Sequence, residues 1–134
     1  MRLLLDTNIF LEILLEQERA TDARQLLART AEHSTFISDF SLHSIGLMLF
    51  RTNQLTVFQQ FLDDILLNAG VRILSLAAEE IGDTVQAAQR FSLDFDDAYQ
   101  YAIAGRYALT IVSFDGDFDR TDKGRQTPDQ IVSA

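Results

Sequence analysis

Along the chain, short apolar runs alternate with longer stretches of mixed apolar and polar residues. Arg2 to Leu5 is a run of the first kind, and Asp6-Thr7-Asn8 ends it abruptly. The next apolar positions, Ile9, Leu11, Ile13, Leu14 and Leu15, give one broad apolar side to a helix over 9–16, with Thr7 or Asn8 as its cap. Thr21 or Asp22 opens a second helix reaching about Ala31, with Ala23, Leu26, Leu27 and Ala31 near helical spacing. Thr35-Phe36-Ile37-Ser38 returns to β-forming residues. Helical patterns follow over 42–51, where Asp39 or Ser41 is the expected cap, and over 56–67, with Gly70 as the stop. Val71 to Leu74 reads as a third strand, 77–90 as a helix, and Asp96-Asp97 begins another helix reaching about Tyr107. Thr110 to Ser113 is the clearest strand, and Ile131-Val132 reads as a short edge strand.

Strands that alternate with helices predict an α/β fold of three layers, α/β/α, around a central, mainly parallel sheet of 4–5 strands. No repeat, linker or low-complexity tract interrupts the 134 residues, so the expectation is a single domain over 1–134. An apolar fraction of 47% with ten Phe supplies a core at this length. Most of these rings, Phe10, Phe36, Phe40, Phe50, Phe58, Phe61 and Phe91, are read as packing residues. The helices between Leu42 and Leu67 carry more apolar surface than one sheet needs, which suits a dimer face or a groove for a partner helix.

Charge changes the picture. The formal net charge is −9, which argues against a broad basic face for nucleic acid. Acids, however, recur at element junctions. Asp6 follows the first strand, Asp115 and Asp117 follow the Thr110–Ser113 strand, and Asp96 and Asp97 open a helix. Parallel strands bring all of them to one carboxyl edge, where open α/β sheets build sites. Each also has a plainer reading: Asp6 as a helix cap, Asp97 as a first-turn acid, and Asp115-Gly116-Asp117 as turn chemistry. Carboxylates gathered at one place raise one another's pKa, and a divalent cation removes the conflict. With no cysteine and no spaced His pair, oxygen ligation points to Mg²⁺ or Mn²⁺ rather than Zn²⁺. The absence of cysteine suits a reducing cytosol, so a cytoplasmic location is expected. No apolar run approaches the roughly 20 residues of a membrane span, and the start is too short and too soon acidic for a signal peptide. Arg120, Lys123 and Arg125 form the local basic cluster beside the last acids, as phosphate contacts or as a solvated loop.

Four blocks, in order, give the chain a resemblance to PIN domains: Leu4-Leu5-Asp6-Thr7-Asn8, Ser38 to Ile45, Leu93 to Ala98, and Ile111 to Phe118 with its Ser113-Phe114-Asp115-Gly116-Asp117-Phe118 core. The resemblance implies a Mg²⁺- or Mn²⁺-dependent ribonuclease, similar to VapC-like toxins that cut RNA until an antitoxin neutralises them. It places Asp6, Asp97 and Asp115 as catalytic metal-binding acids and Asp117 as a fourth ligand. Asn8 and Ser113 become groups that orient those acids. One position departs. Where the family usually has a glutamate after strand two, this chain has Ser44, with His43 beside it. Water fills that gap, or His43, Asp39 or Asp96 substitutes, or the site is impaired and the chain is a PIN-like binding or regulatory module. Asp96 points about 100° away from Asp97 around an ideal helix, so it helps only as a cap. A receiver or phosphatase with an acidic Mg²⁺ site ranks lower, because Asp6-Thr7-Asn8 lacks a second nearby acid.

Overall fold

The computed structural model describes residues 1–134. Its sheet has four strands, β1 (Arg2–Leu5), β2 (Ser34–Ser38), β3 (Arg72–Leu74) and β4 (Thr110–Val112). Their order is β3-β2-β1-β4 and every pairing is parallel, with Leu4 opposite Phe36 on one side and Ile111 on the other. Being central, β1 is apolar on both faces. Leu3 and Leu5 enter one core while Leu4 enters the other, which is the period-two alternation of a strand buried on both sides.

Helices cover both faces. The core beneath Leu3 and Leu5 takes Ile9 and Phe10 from α1 (Thr7–Leu14), Ala23 and Leu26 from α2 (Ala20–Leu27), and Ile45 and Leu49 from α3 (Asp39–Arg51). Phe61 closes α4 (Leu55–Phe61) in the same core, with its ring edge against Phe10 at 5.6 Å. On the other face, α5 (Gly82–Phe91) packs against α6 (Phe95–Tyr107), and α6 brings Tyr99, Ala102, Ile103 and Ala104 to Leu4 and Ile111. This is the three-layer α/β/α arrangement that the alternating pattern predicts.

Several expectations are corrected. Ile131 and Val132 are not an edge strand but part of α7 (Pro128–Ser133), and Ile131 is buried in the larger core. Pro128 at the first helical position pre-sets the backbone, and Gln130 Oε1 accepts the Thr127 N–H at 2.9 Å. The only pairing beyond β4 comes earlier, at Gln126, which bridges Val112. The helix read over 77–90 starts as a single 3₁₀ turn, Ala78–Glu80, before α5. The helix read over 56–67 changes into a π-helical segment, Leu62–Asn68, after α4. Phe50 is not packed inside but is 60% exposed, alongside exposed Leu47. No helix is long and apolar enough to cross a membrane.

Candidate metal centre

At the carboxyl edge, β1 runs one residue past Leu5, since the Asp6 N–H still donates to Val112 O at 2.9 Å. The chain then turns into α1, and Asp6 is itself the cap. Its Oδ1 accepts the Thr7 N–H at 2.8 Å, so neither Thr7 nor Asn8 plays the capping part expected of it. Thr7 instead donates its hydroxyl to Ser41 at 2.7 Å, and Asn8 bridges to the end of β4. The pattern repeats at β2. Ser38, the last strand residue, caps α3 by accepting the Ser41 N–H at 3.0 Å, in place of the expected Asp39 or Ser41.

Asp6 is buried, and both its oxygens are engaged. Gln100 Nε2 donates to Oδ1 at 2.9 Å and the Ser113 hydroxyl donates to Oδ2 at 2.7 Å. Ser113 Oγ also accepts from Asn8 Nδ2 at 3.2 Å and from the Asp115 N–H at 2.9 Å. One hydroxyl thus ties Asp6, Asn8 and the Asp115 backbone together.

The other acids arrive from two elements. Asp94 caps α6 by accepting the Asp97 N–H at 3.0 Å, which sets Asp97 in the first turn with its side chain over the sheet edge. Asp115 caps the 3₁₀ turn Gly116–Arg120 by accepting the Asp117 N–H at 2.8 Å. Carboxylate oxygens of Asp97, Asp115 and Asp117 lie within 4.8 Å of one another. Asp6 is not in that set, although its charge is felt at Asp97. Asp97 is buried and Asp117 is the most open, its side chain 48% exposed and 3.4 Å from Arg120 Nη1.

Electrostatics single out Asp97. Burial, and then the charges of Asp115, Asp94, Asp6 and Asp117, push its pKa up to about 8. Burial raises Asp6 as well, against the opposing pull of its Gln100, Ser113 and Thr7 hydrogen bonds. A cluster of oxygens that cannot all ionise unaided is a donor set suited to a hard divalent cation. The residues present therefore fit a divalent cation, which Asp97, Asp115 and Asp117 could hold.

None of the side chains that the sequence offers for the gap at Ser44, His43, Asp39 or Asp96, joins the acid cluster. Ser44 is half-buried on α3 and belongs to no acid cluster. His43 is exposed and borders an apolar patch with Leu42, Leu47, Phe50 and Phe58. Asp39 accepts the Tyr99 hydroxyl at 2.7 Å, and Asp96 is exposed with its pKa raised by burial and by Asp94. What lies between α3 and Asp6 is a neutral pair that sequence reasoning misses. Gln100 Nε2 donates to Ser41 Oγ at 2.8 Å as well as to Asp6. Gln100 is 1% exposed, and its Oε1 has no partner. One signal for it exists in the sequence: a lone amide three residues after Asp97 among Ala, Ile and Tyr.

A parallel sheet with a cluster of carboxylates at its carboxyl edge defines an α/β protein that gathers oxygen donors at one place. Within that class the chain belongs to the PIN domain family, whose family model matches residues 3–124. Among curated proteins compared by sequence, none matches significantly. Solved structures with the same fold include a toxin-antitoxin complex from Klebsiella pneumoniae, 24% identical over 93% of this chain and 96% of that one, with a TM-score of 0.68. VapC20 of Mycobacterium tuberculosis, a sarcin-ricin loop cleaving toxin, is 19% identical over 87% and 92%, with a TM-score of 0.71. FitAcB from Neisseria gonorrhoeae is 20% identical over 94% and 97%, with a TM-score of 0.69.

Proposed function

We propose that this protein is a metal-dependent endoribonuclease and the toxin of a type II toxin-antitoxin pair. The observation that carries the reading is the Asp97-Asp115-Asp117 cluster, with Asp97 pushed up to about 8. These three acids would hold Mg²⁺ or Mn²⁺. The bound ion would supply an activated water and offset charge developing on a scissile phosphate. Asp6 adds a fourth negative charge beside them and, through Ser113, fixes the backbone of Asp115. Asn8 holds the same junction from α1 by accepting the Phe114 N–H at 3.2 Å. Arg120 steadies Asp117 while its other nitrogen donates to Ser92 O at 3.0 Å.

RNA as substrate rests on the family and on the likeness to VapC20, a toxin that cleaves the sarcin-ricin loop. An antitoxin partner is supported by the toxin-antitoxin complex among the related folds and by an apolar groove of about 790 Å³ between α1, α2 and α4. A second copy of the chain would cover exposed Leu47 and Phe50. Sedimentation showing only monomer would remove that copy from the proposal.

Cleavage of purified single-stranded RNA in Mg²⁺ or Mn²⁺ tests the main reading. Asp97→Asn and Asp115→Asn should each lower the rate by at least about a hundredfold, the upper end of what disturbing the support of a metal site costs. Equal rates in wild type and both variants would overturn it. A second reading, a catalytically impaired binding module, is favoured by Ser44 and by the full engagement of Asp6. It predicts neither cation binding at millimolar levels nor cleavage.

A further inference from the structure

Beside the acid cluster, along α6, lies a cavity of about 470 Å³ that the proposed chemistry does not use. Asp97, Tyr101 and Gly105 follow one another at four-residue steps, so they share one stripe of the helix. The cavity begins at Tyr101, about 6 Å of helical rise beyond Asp97. It is walled on the other side by Arg90 and Phe91 at the end of α5, and roofed by Lys123 from the loop after the 3₁₀ turn.

Its lining combines two chemistries. Phe91 and Tyr101 form a half-buried aromatic pair, with ring centroids 5.2 Å apart and planes at 59°. Arg90 lies over the Phe91 ring at 4.7 Å. Arg106, at the far end, is held by Glu80 at 2.7 Å and Asp83 at 3.2 Å. Arg90 and Lys123 are both exposed, and neither is in an ion pair within 4.0 Å. The nearby acid that feels them, Asp122, is already occupied in accepting the Tyr101 hydroxyl. The other two cations of the loop are committed, Arg120 to Asp117 and Arg125 to Asp119 and Ser113 O. In a chain of net charge −9, two cations outside any ion pair meet an aromatic pair at this cavity.

Gly105 supports a role for the space itself. It sits inside α6, where glycine weakens a helix, and it is not at a positive φ that would require it. A Cβ there would meet Lys123 Cε at 3.7 Å, ordinary contact, so packing does not forbid alanine. Gly105 lines the cavity, so a longer side chain there would project into it.

We propose that this cavity is a subsite for single-stranded RNA, taking one nucleotide that flanks the bond placed at the acid cluster. The base lies against Phe91 and Tyr101, and its phosphate meets Arg90 and Lys123, the combination by which single strands are held without base-specific readout. The subsite rests on the ribonuclease reading and adds to it where the strand runs: from Asp97 along α6 toward Gly105.

The test uses the full chain and an unstructured RNA oligonucleotide of about eight nucleotides, within the range of a single-strand site. Cleavage kinetics and binding by fluorescence anisotropy are measured for wild type, the double variant Arg90→Ala/Lys123→Ala, and Gly105→Leu. Both altered residues of the double variant are exposed, and Gly105→Leu fills the cavity without removing a charge. Both variants should raise KM by about tenfold, with the effect carried by KM rather than kcat. The double variant should also flatten the dependence of log affinity on log salt, by about 0.7 for each phosphate left without its cation. If wild type cleaves RNA and both variants match it in KM and salt slope, the subsite is wrong and the ribonuclease reading stands. If wild type neither binds nor cleaves RNA, the ribonuclease reading falls and the subsite falls with it.

Discussion

Asp97 carries the most information of any single residue. In the unfolded chain it loses its proton near 3.8, but in the folded, metal-free protein only near 8. Between those values the folded state holds a proton that the unfolded state has lost, so stability falls as pH rises through the window. Asp6 and Asp96 are raised too and act in the same direction. Thermal unfolding of the metal-free protein should therefore give a Tm that declines from about pH 5 to about pH 8. If Mg²⁺ is held by these acids as proposed, it takes their deprotonated forms, and its stabilising effect should grow over the same range. A Tm that rises with pH in the absence of metal would contradict the assignment. Gln100 makes the second residue-scale case. Gln100→Ala leaves Asp6 buried with one donor fewer on Oδ1, at a cost of about 1–3 kcal/mol in urea unfolding. A change below a few tenths would mean that the Gln100 bond does not hold Asp6.

Among the elements, α6 governs the site because its cap places Asp97. Asp94 does two things there: it accepts the Asp97 N–H, and its charge helps raise the Asp97 pKa. The two effects separate by substitution. Asp94→Asn keeps a capping oxygen and removes the charge, so Asp97 titrates lower and stability at neutral pH should equal or slightly exceed wild type. Asp94→Ala loses the cap as well and should cost about 1 kcal/mol. Equal stability of the two variants would remove the cap from the account. Element starts and ends are also where the sequence reads least well. Apolar runs mark the buried strands, the leucines of β1 and the β-branched Thr110-Ile111-Val112 of β4. The caps are displaced by one to three residues, since Asp6 and Ser38 are at once strand ends and helix caps. Ile131-Val132 resembles a strand because a β-branched pair says nothing of its partners. Pro128 just before it, with Gln130 bonded back to Thr127, decides for a helix.

At the scale of the whole molecule, the parallel sheet follows from alternation alone, and with it the gathering of acids at one edge. That gathering is legible in the sequence, but not which acids meet. Asp97, Asp115 and Asp117 cluster, whereas Asp6 is drawn into bonds with Ser113 just past β4 and Gln100 on α6, 107 and 94 residues away. Contacts of that span are set by how layers pack and leave no local pattern. The gap at Ser44 is visible in the sequence, yet the neutral Ser41-Gln100 pair beside Asp6 emerges only from packing. On the proposed function, one cation is held by the Asp97-Asp115-Asp117 cluster, with Asp6 supporting from outside it. Calorimetric titration of Mn²⁺ into wild type, Asp97→Asn, Asp115→Asn and Asp6→Asn tests this most directly. Wild type should show one site, the Asp97 and Asp115 variants should lose it, and Asp6→Asn should keep weakened but measurable binding. Undiminished Mn²⁺ binding by Asp97→Asn, or none by wild type at millimolar metal, would contradict it.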